Sequence, residues 1–231
     1  MNDLARTTVF LPGAGSFGTE CQPIADALKP ASFIVRYPGR YGRDFGIPAK
    51  SFDAVVRACA EQIVSQASAC PVLFGHSYGA YVAYATALRL QEGGTGVRAL
   101  VVAGASAPRF LQVSEQATCE HSDVARYLDR IDPNALAGAP SDDWREVVVE
   151  AALHDLRLLR QFDNSCTARV RCPVAALRGS ADPLTTSAAI SEWEQLTDSE
   201  FVLGVFAGGH SDFLRSAECV SWTRELVGKF R

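Results

Sequence analysis

The sequence predicts an α/β fold: one domain over residues 1–231 with a mostly parallel central sheet flanked by helices. Three observations lead there. Six short apolar segments rich in β-branched residues recur along the chain. They read as near-continuous apolar runs rather than as alternation, the pattern of parallel strands covered on both faces. Helical patterns fall between them, and strands alternating with helices build a parallel sheet from crossover units.

The first strand is TTVFLP (7–12), followed by the glycine-rich loop LPGAGSFGT. SFIVRYP (32–38) is the second. Ser51 has the chemistry of an N-cap, and Val55, Val56, Cys59 and Ile63 behind it share one helical face. The third strand, CPVLFGHS (70–77), runs into a helical pattern that reaches about Leu90 and stops at Gly93-Gly94. VRALVVAG (97–104) and CPVAALRG (172–179) follow as strands four and five. Between them, about 107–168, lie helical patterns such as SDVARYLDRI and DDWREVVVEAALHDLRLLRQF and no convincing strand. That is long for a crossover, so a helical cap (lid) over one end of the sheet is expected. The last strand is EFVLGVFAG (200–208), after which Phe213, Leu214, Ala217 and Val220 suit a helix face. No repeat, low-complexity tract or linker divides the chain.

Composition narrows the function. A net charge of −4 argues against nucleic-acid binding, which needs excess Lys and Arg. No apolar run is long enough to span a membrane. The opening MNDLARTTVF has an early acid and no apolar core, so no secretory leader is expected. The seven cysteines form no CxxC pair and are odd in number, which argues against a zinc site or a disulfide scaffold. Free thiols fit a reducing, cytoplasmic location.

Gly75-His76-Ser77-Tyr78-Gly79 stands between a strand and a helix. This G-x-S-x-G context is the nucleophile elbow of the α/β-hydrolase fold. Glycines 75 and 79 allow a tight turn that lifts Ser77 clear of the sheet at a helix N-terminus, which favours developing negative charge. A serine hydroxyl needs a base. Of His76, His121, His154 and His210, only His210 follows the last strand, in a loop at the sheet's carboxyl edge; His76 is expected to point away from Ser77. The fold's chain order, serine then acid then histidine, leaves Asp182 and Asp155 as orienting acids. Asp182 follows strand five and is kept in a turn by Pro183, so it is preferred. Asp155 lies in a helical pattern beside Arg157, where a surface ion pair is its simpler role.

An oxyanion needs two donors, each supplying about 2.7–4 kcal/mol. The backbone N–H of Tyr78 is one candidate, and Ala14 in the first loop is the other. Gly13, Gly15 and Gly18 also fit G-x-G-x-x-G, the nucleotide-binding spacing. The acid expected about 20 residues further on is absent, with Arg36-Tyr37-Pro38 in its place.

Taken together, FLPGAGS, YPGRYGR, GHSYGA, HDLRLLRQF, RGSADPLT and GGHSDFL, spanning about 10–214, resemble the stand-alone type II thioesterases that accompany nonribosomal peptide and polyketide synthases. YPGR (37–40) is the most discriminating of these motifs. The resemblance implies Ser77, Asp182 and His210 as the triad and Ala14 and Tyr78 as oxyanion donors. It implies an acyl substrate on the phosphopantetheine arm of an acyl or peptidyl carrier domain as partner, no cofactor of the enzyme's own, and an editing role. Two departures stand out: the family commonly has histidine where Gly13 stands and methionine where Tyr78 stands. The chain is also short for the family, which implies a trimmed N-terminal edge of the sheet. Arg36, Arg40, Arg43 and Arg109 are candidates to face an acidic carrier, with a solvated role equally open for each. Phe110, Leu128 and Trp144 read first as cap core and second as pocket lining. Two alternatives remain: an esterase or lactonase acting on a free small molecule, and a catalytically silent carrier-binding module.

Overall fold

The computed structural model describes residues 7–67, 69–115, 118–133, 136 and 140–230. Residues 1–6, part of the stretch behind the leader expectation, and cap positions 116–117, 134–135 and 137–139 lie outside the described residues.

The chain runs β1 (Thr8–Leu11), α1 (Gln22–Ala27), β2 (Ser32–Ile34), α2 (Phe52–Gln66), β3 (Val72–His76), α3 (Tyr78–Glu92) and β4 (Ala99–Ala103). It continues with α4 (His121–Ile131), α5 (Asp142–Leu159), β5 (Val174–Gly179), α6 (Ser187–Ser191), β6 (Phe201–Phe206) and α7 (Ala217–Lys229). The six strands form one sheet in the order β2-β1-β3-β4-β5-β6, with every pair parallel. Strand residues alternate between two cores. Leu73, Leu100, Val102, Val174 and Ala176 pack with α2 and α3, while Phe74, Val101, Ala175 and Leu177 pack with α1 and α7. Both faces are therefore covered at the centre, which is why those strands lack polar alternation.

The edges differ from the expectation of full cover. Leu203 and Val205 of β6, a strand at the sheet's edge, are 38% and 50% exposed. Strand β2 ends at Ile34, where the chain turns off towards Tyr37-Pro38. The expected helix from Asp212 is broken in two: Asp212–Arg215 makes one short 3₁₀ turn, and α7 restarts after Ser216, whose hydroxyl caps Cys219 N–H at 3.1 Å. Phe213 and Leu214 are buried in that turn, whereas Ala217 is exposed. Helix α2 begins as its sequence predicts, with Ser51 Oγ accepting from Ala54 N–H at 3.1 Å. No helix among the described residues is long and apolar enough to cross a membrane.

Among the described residues, the segment between β4 and β5 contains helices and no strand. Helices α4 and α5 share an apolar cluster that includes Val124, Leu128, Val149 and Ala152, and Ala14 and Leu184 from the sheet's carboxyl edge pack against it. The helical pair thus sits over the loops that follow β1 and β5.

Candidate active site

The serine turn is built by close backbone approach. A Cβ at Gly75 would lie 2.2 Å from Gly79 O, and a Cβ at Gly79 would lie 2.0 Å from Leu11 O. Neither distance admits a side chain, so the strand, the helix and β1 meet only because both positions are glycine. The strain falls on Ser77 itself, held at φ +52°, ψ −119°, with its N–H on Ala103 O at 2.8 Å. Such a backbone costs about 1–3 kcal/mol, which the surrounding structure must supply.

The loop after β6 brings the imidazole of His210 to this serine. Gly208, at φ +130°, turns the chain, and Gly179 lets the end of β5 pack against that turn: a Cβ there would sit 2.3 Å from Gly209 O. His210 Nε2 lies 2.9 Å from Ser77 Oγ and Nδ1 lies 3.0 Å from Asp182 Oδ1. Asp182 also accepts from Leu184 N–H at 2.9 Å and from the Thr185 hydroxyl at 2.7 Å. Burial works against the ionised carboxylate, yet the bonds from His210, Leu184 and Thr185 outweigh it and hold Asp182 below its ordinary pKa. A carboxylate in that state accepts the Nδ1–H, which leaves Nε2 free to take the serine proton.

Asp155 has a different place. It is buried, accepts from Gly15 N–H at 2.9 Å, and is paired with the guanidinium of Arg40. Arg40 in turn donates to Ser16 O and lies over the rings of Tyr37 and Phe17, 4.9 and 5.7 Å from their centroids. The expectation of a surface ion pair at Asp155 is thus corrected: its partner is Arg40, 115 residues away, and the pair is buried. Arg40 is likewise removed from the arginines that face outward, at 6% exposure. Arg36 and Arg43 are exposed, and Arg109 is paired with Glu192 at 2.9 Å.

Four N–H groups of the first loop are committed: Gly13 to Glu20 at 2.9 Å, Gly15 to Asp155, Ser16 to Gly13 O at 3.1 Å, and Gly18 to Ser16 Oγ at 2.8 Å. The N–H of Ala14 has no partner among the described residues. Tyr78 N–H opens helix α3 and has no intrahelical acceptor. Ala14 and Tyr78 border the same cavity as Ser77 and His210. Two carboxylates already occupy the loop amides that a pyrophosphate would need, which removes the nucleotide reading of Gly13, Gly15 and Gly18.

That cavity has a volume of about 880 Å³. Phe110, Leu128 and Trp144 all line it, together with Tyr81, Val148 and Leu156. Leu128 keeps its reading as cap core, buried in the α4–α5 cluster while bordering the cavity, whereas the core reading of Phe110 and Trp144 is corrected: at 40% and 36% exposure they line the cavity wall. Among the described residues, no group of three or more His, Cys, Asp or Glu side chains is arranged to hold a metal ion.

Sequence reasoning missed Glu20. It is buried, accepts from Gly13 N–H and from the Ser16 hydroxyl, and faces His76. A single acid before a short helix carries no motif, so only the fold shows its position. The ring of His76 points away from Ser77, as expected, and reaches the carbonyl of His210 at 3.0 Å. Gly13, one of the two departures from the resembled family, is where a Cβ would press on His76 Nδ1 at 3.2 Å and Glu20 Oε1 at 3.5 Å.

Residues 6–225 match the family model described as thioesterase domain. The chain belongs to that thioesterase family. Its relatives include thioesterase PikA5 of Streptomyces venezuelae, 30% identical over 87% of this chain and 73% of that protein. A probable cadicidin biosynthesis thioesterase of Streptomyces griseus is 27% identical over 90% of this chain and 58% of its own length. Phenyloxazoline synthase MbtB of Mycobacterium tuberculosis matches at 28% identity over 15% of its length, so the chain spans little more than half of one of these relatives and a small part of the other. Among solved structures, the type II thioesterase BorB from the borrelidin biosynthetic cluster superposes with a TM-score of 0.85 at 26% identity, covering 98% of this thioesterase-family chain and 94% of BorB. The fold is the α/β-hydrolase fold.

Proposed function

We propose that this chain is a type II thioesterase that hydrolyses acyl groups from the phosphopantetheine arm of acyl or peptidyl carrier domains in nonribosomal peptide or polyketide synthesis. The observation that carries this reading is the continuous bond series from Ser77 Oγ through His210 to Asp182, at 2.9 and 3.0 Å, in a chain of the thioesterase family. Relatives named for cadicidin biosynthesis and for the borrelidin biosynthetic cluster support the substrate class.

Ser77 Oγ attacks the thioester carbonyl as its proton passes to His210 Nε2. Asp182 stabilises the imidazolium through Nδ1–H. The N–H groups of Ala14 and Tyr78 receive the oxyanion. Collapse breaks the C–S bond, and the departing sulfur takes the proton from Nε2. Water then gives a proton to His210 and attacks the acyl-serine; the C–Oγ bond breaks, Ser77 regains its proton, and the free acid leaves. The cap, α4 and α5, shapes the acyl cavity and gates the arm. Seven thiols, all free, fit a reducing cytoplasm.

Intact-mass measurement of acylated carrier domains, with wild type and Ser77→Ala, tests the reading. Wild type is expected to remove the acyl mass and the variant to leave it. Equal loss with both overturns the mechanism. Fast turnover of free aryl esters with no gain from carrier tethering would instead favour an esterase.

A further inference from the structure

Behind the Ser77–His210–Asp182 series lies a second set of buried polar groups that the mechanism above does not use. His76, the residue before the nucleophile, is 3% exposed. Its Nε2 lies 3.0 Å from the backbone carbonyl of His210. A carbonyl only accepts, so Nε2 carries a hydrogen and donates it. On the other side of the ring, Nδ1 stands 3.5 Å from Glu20 Oε1, a separation of ion pairing rather than of a hydrogen bond. A neutral imidazole with hydrogen on Nε2 would turn a lone pair at Nδ1 towards that carboxylate, and two negative poles would face each other in a buried site. The doubly protonated ring is the form the geometry accommodates.

Glu20 is bound from its other side by the oxyanion loop. Gly13 N–H donates to Oε1 at 2.9 Å and Ser16 Oγ donates to Oε2. One chain of contacts therefore runs from the loop holding Ala14, through Glu20 and His76, to the main chain of His210.

We propose that Glu20 and His76 are positioning residues: a buried ion pair that ties the oxyanion loop to the loop carrying His210 and sets the distance between oxyanion donors and base. The inference rests on the reading of Ser77 and His210 as nucleophile and base. Electrostatics agree with the geometry. Burial opposes the charge on Glu20, but the adjacent His76, with the bonds from Ser16 and Gly13, brings its pKa down to about 2. Burial opposes the charge on His76 too, and Glu20, the His210 carbonyl and Asp182 outweigh it and raise its pKa. The charged and titratable groups that face His76 are thus Glu20, Asp182 and the His210 ring, whose centroid is 5.0 Å away.

The test uses the full chain, wild type and Glu20→Gln, an isosteric change that keeps an acceptor for Gly13. Nitrogen-detected imidazole spectra of histidine-labelled wild type are expected to show His76 with both nitrogens protonated at neutral pH and Glu20→Gln to show it neutral. With a carrier-bound thioester, Glu20→Gln is expected to lower kcat about tenfold and leave KM within about twofold, since Glu20 borders the cavity but the isosteric change keeps the shape of its wall. The wild-type rate is expected to fall at alkaline pH towards the variant's level as His76 loses its proton, whereas the variant shows no such fall. A purely structural role would not produce that difference. A neutral His76 in wild type at neutral pH overturns the proposal, and so do superimposable rates and pH profiles. The imidazole titration needs wild type alone, so it decides the ion pair even if Glu20→Gln fails to fold. Absence of Ser77-dependent turnover in wild type would be a failure of the thioesterase reading, seen in the Ser77→Ala control and separate from the spectra.

Discussion

Ser77 carries the one strained non-glycine backbone at the site, and the glycines beside it carry the close contacts. Gly79 shows how little room exists: a methyl group there would stand 2.0 Å from Leu11 O and 2.5 Å from Pro12 O, both of them main-chain atoms that cannot rotate away. Gly79→Ala is therefore expected to push α3 off β1. Overpacking of this kind costs about 1–3 kcal/mol where side chains can yield and more against backbone. The expected outcome is a loss of at least about 3 kcal/mol by urea unfolding, together with loss of Ser77 acylation by an activated ester. A variant with wild-type stability would show that the elbow tolerates a larger turn. The departure at Tyr78 has a similar local meaning. Its ring is buried against Tyr37 and Phe52, with centroids 5.8 and 6.2 Å away, so the side chain fills core and the proposed oxyanion role falls to the backbone N–H alone.

At the scale of elements, helix α5 does more than cover the cavity. A Cβ at Gly15 would meet Val148 O at 2.6 Å and Ala152 Cβ at 2.7 Å, so the helix lies directly on the loop after β1. Asp155 on that helix binds Gly15 N–H and Arg40, which joins α5, the loop after β1 and the YPGR turn at one carboxylate. The two acids that the sequence left as rivals therefore have separable roles. Asp182→Asn is expected to keep the fold and lower kcat by about 10³–10⁴, through the wrong imidazole tautomer. Asp155→Asn leaves Arg40 buried without its counter-charge, a change of about 3–5 kcal/mol in stability. Thermal melting and kcat measured on both variants check the contrast. Equal effects on melting and on rate would mean that the two carboxylates act as one unit.

Stability of the whole molecule depends on buried ionisable groups with opposite signs of pH dependence. Glu20, at about 2, and Asp182 are both depressed in the folded state. Each stabilises fully above its unfolded value, near 4, and that contribution is lost as pH falls through the folded value. His76 is raised, so its contribution is complete below an unfolded value near 6.5 and is lost as pH rises through the folded one. A plateau of stability between roughly pH 5 and 7 is expected, with decline on either side. Urea midpoints from pH 3 to 10 measure it, and Glu20→Gln is expected to flatten both limbs. A wild-type profile that keeps rising below pH 4 would contradict the sign.

Much of this molecule is legible residue by residue. Six strands can be read because apolar runs buried on both faces need no partner to identify them, and the Ser51 cap works within its own helix. Ser77, Asp182 and His210 stand each at the carboxyl end of a strand or the start of a helix, so chain order and turn chemistry place them at one rim. The break at Ser216 was not legible, because one continuous apolar face suits a helix or a turn plus a helix equally well. Neither was Arg40 with Asp155 or Glu20 with His76. These pairs are separated by tens of residues to more than a hundred, and a lone charged residue has no period or spacing to declare its partner. The sequence by itself determined the strands, the elbow and the order of the serine, acid and histidine that meet at the rim, since these rest on local sterics and burial. Only the tertiary structure decided which buried charges meet, because the cost of burying a charge is offset only by a partner that the folded chain brings to it.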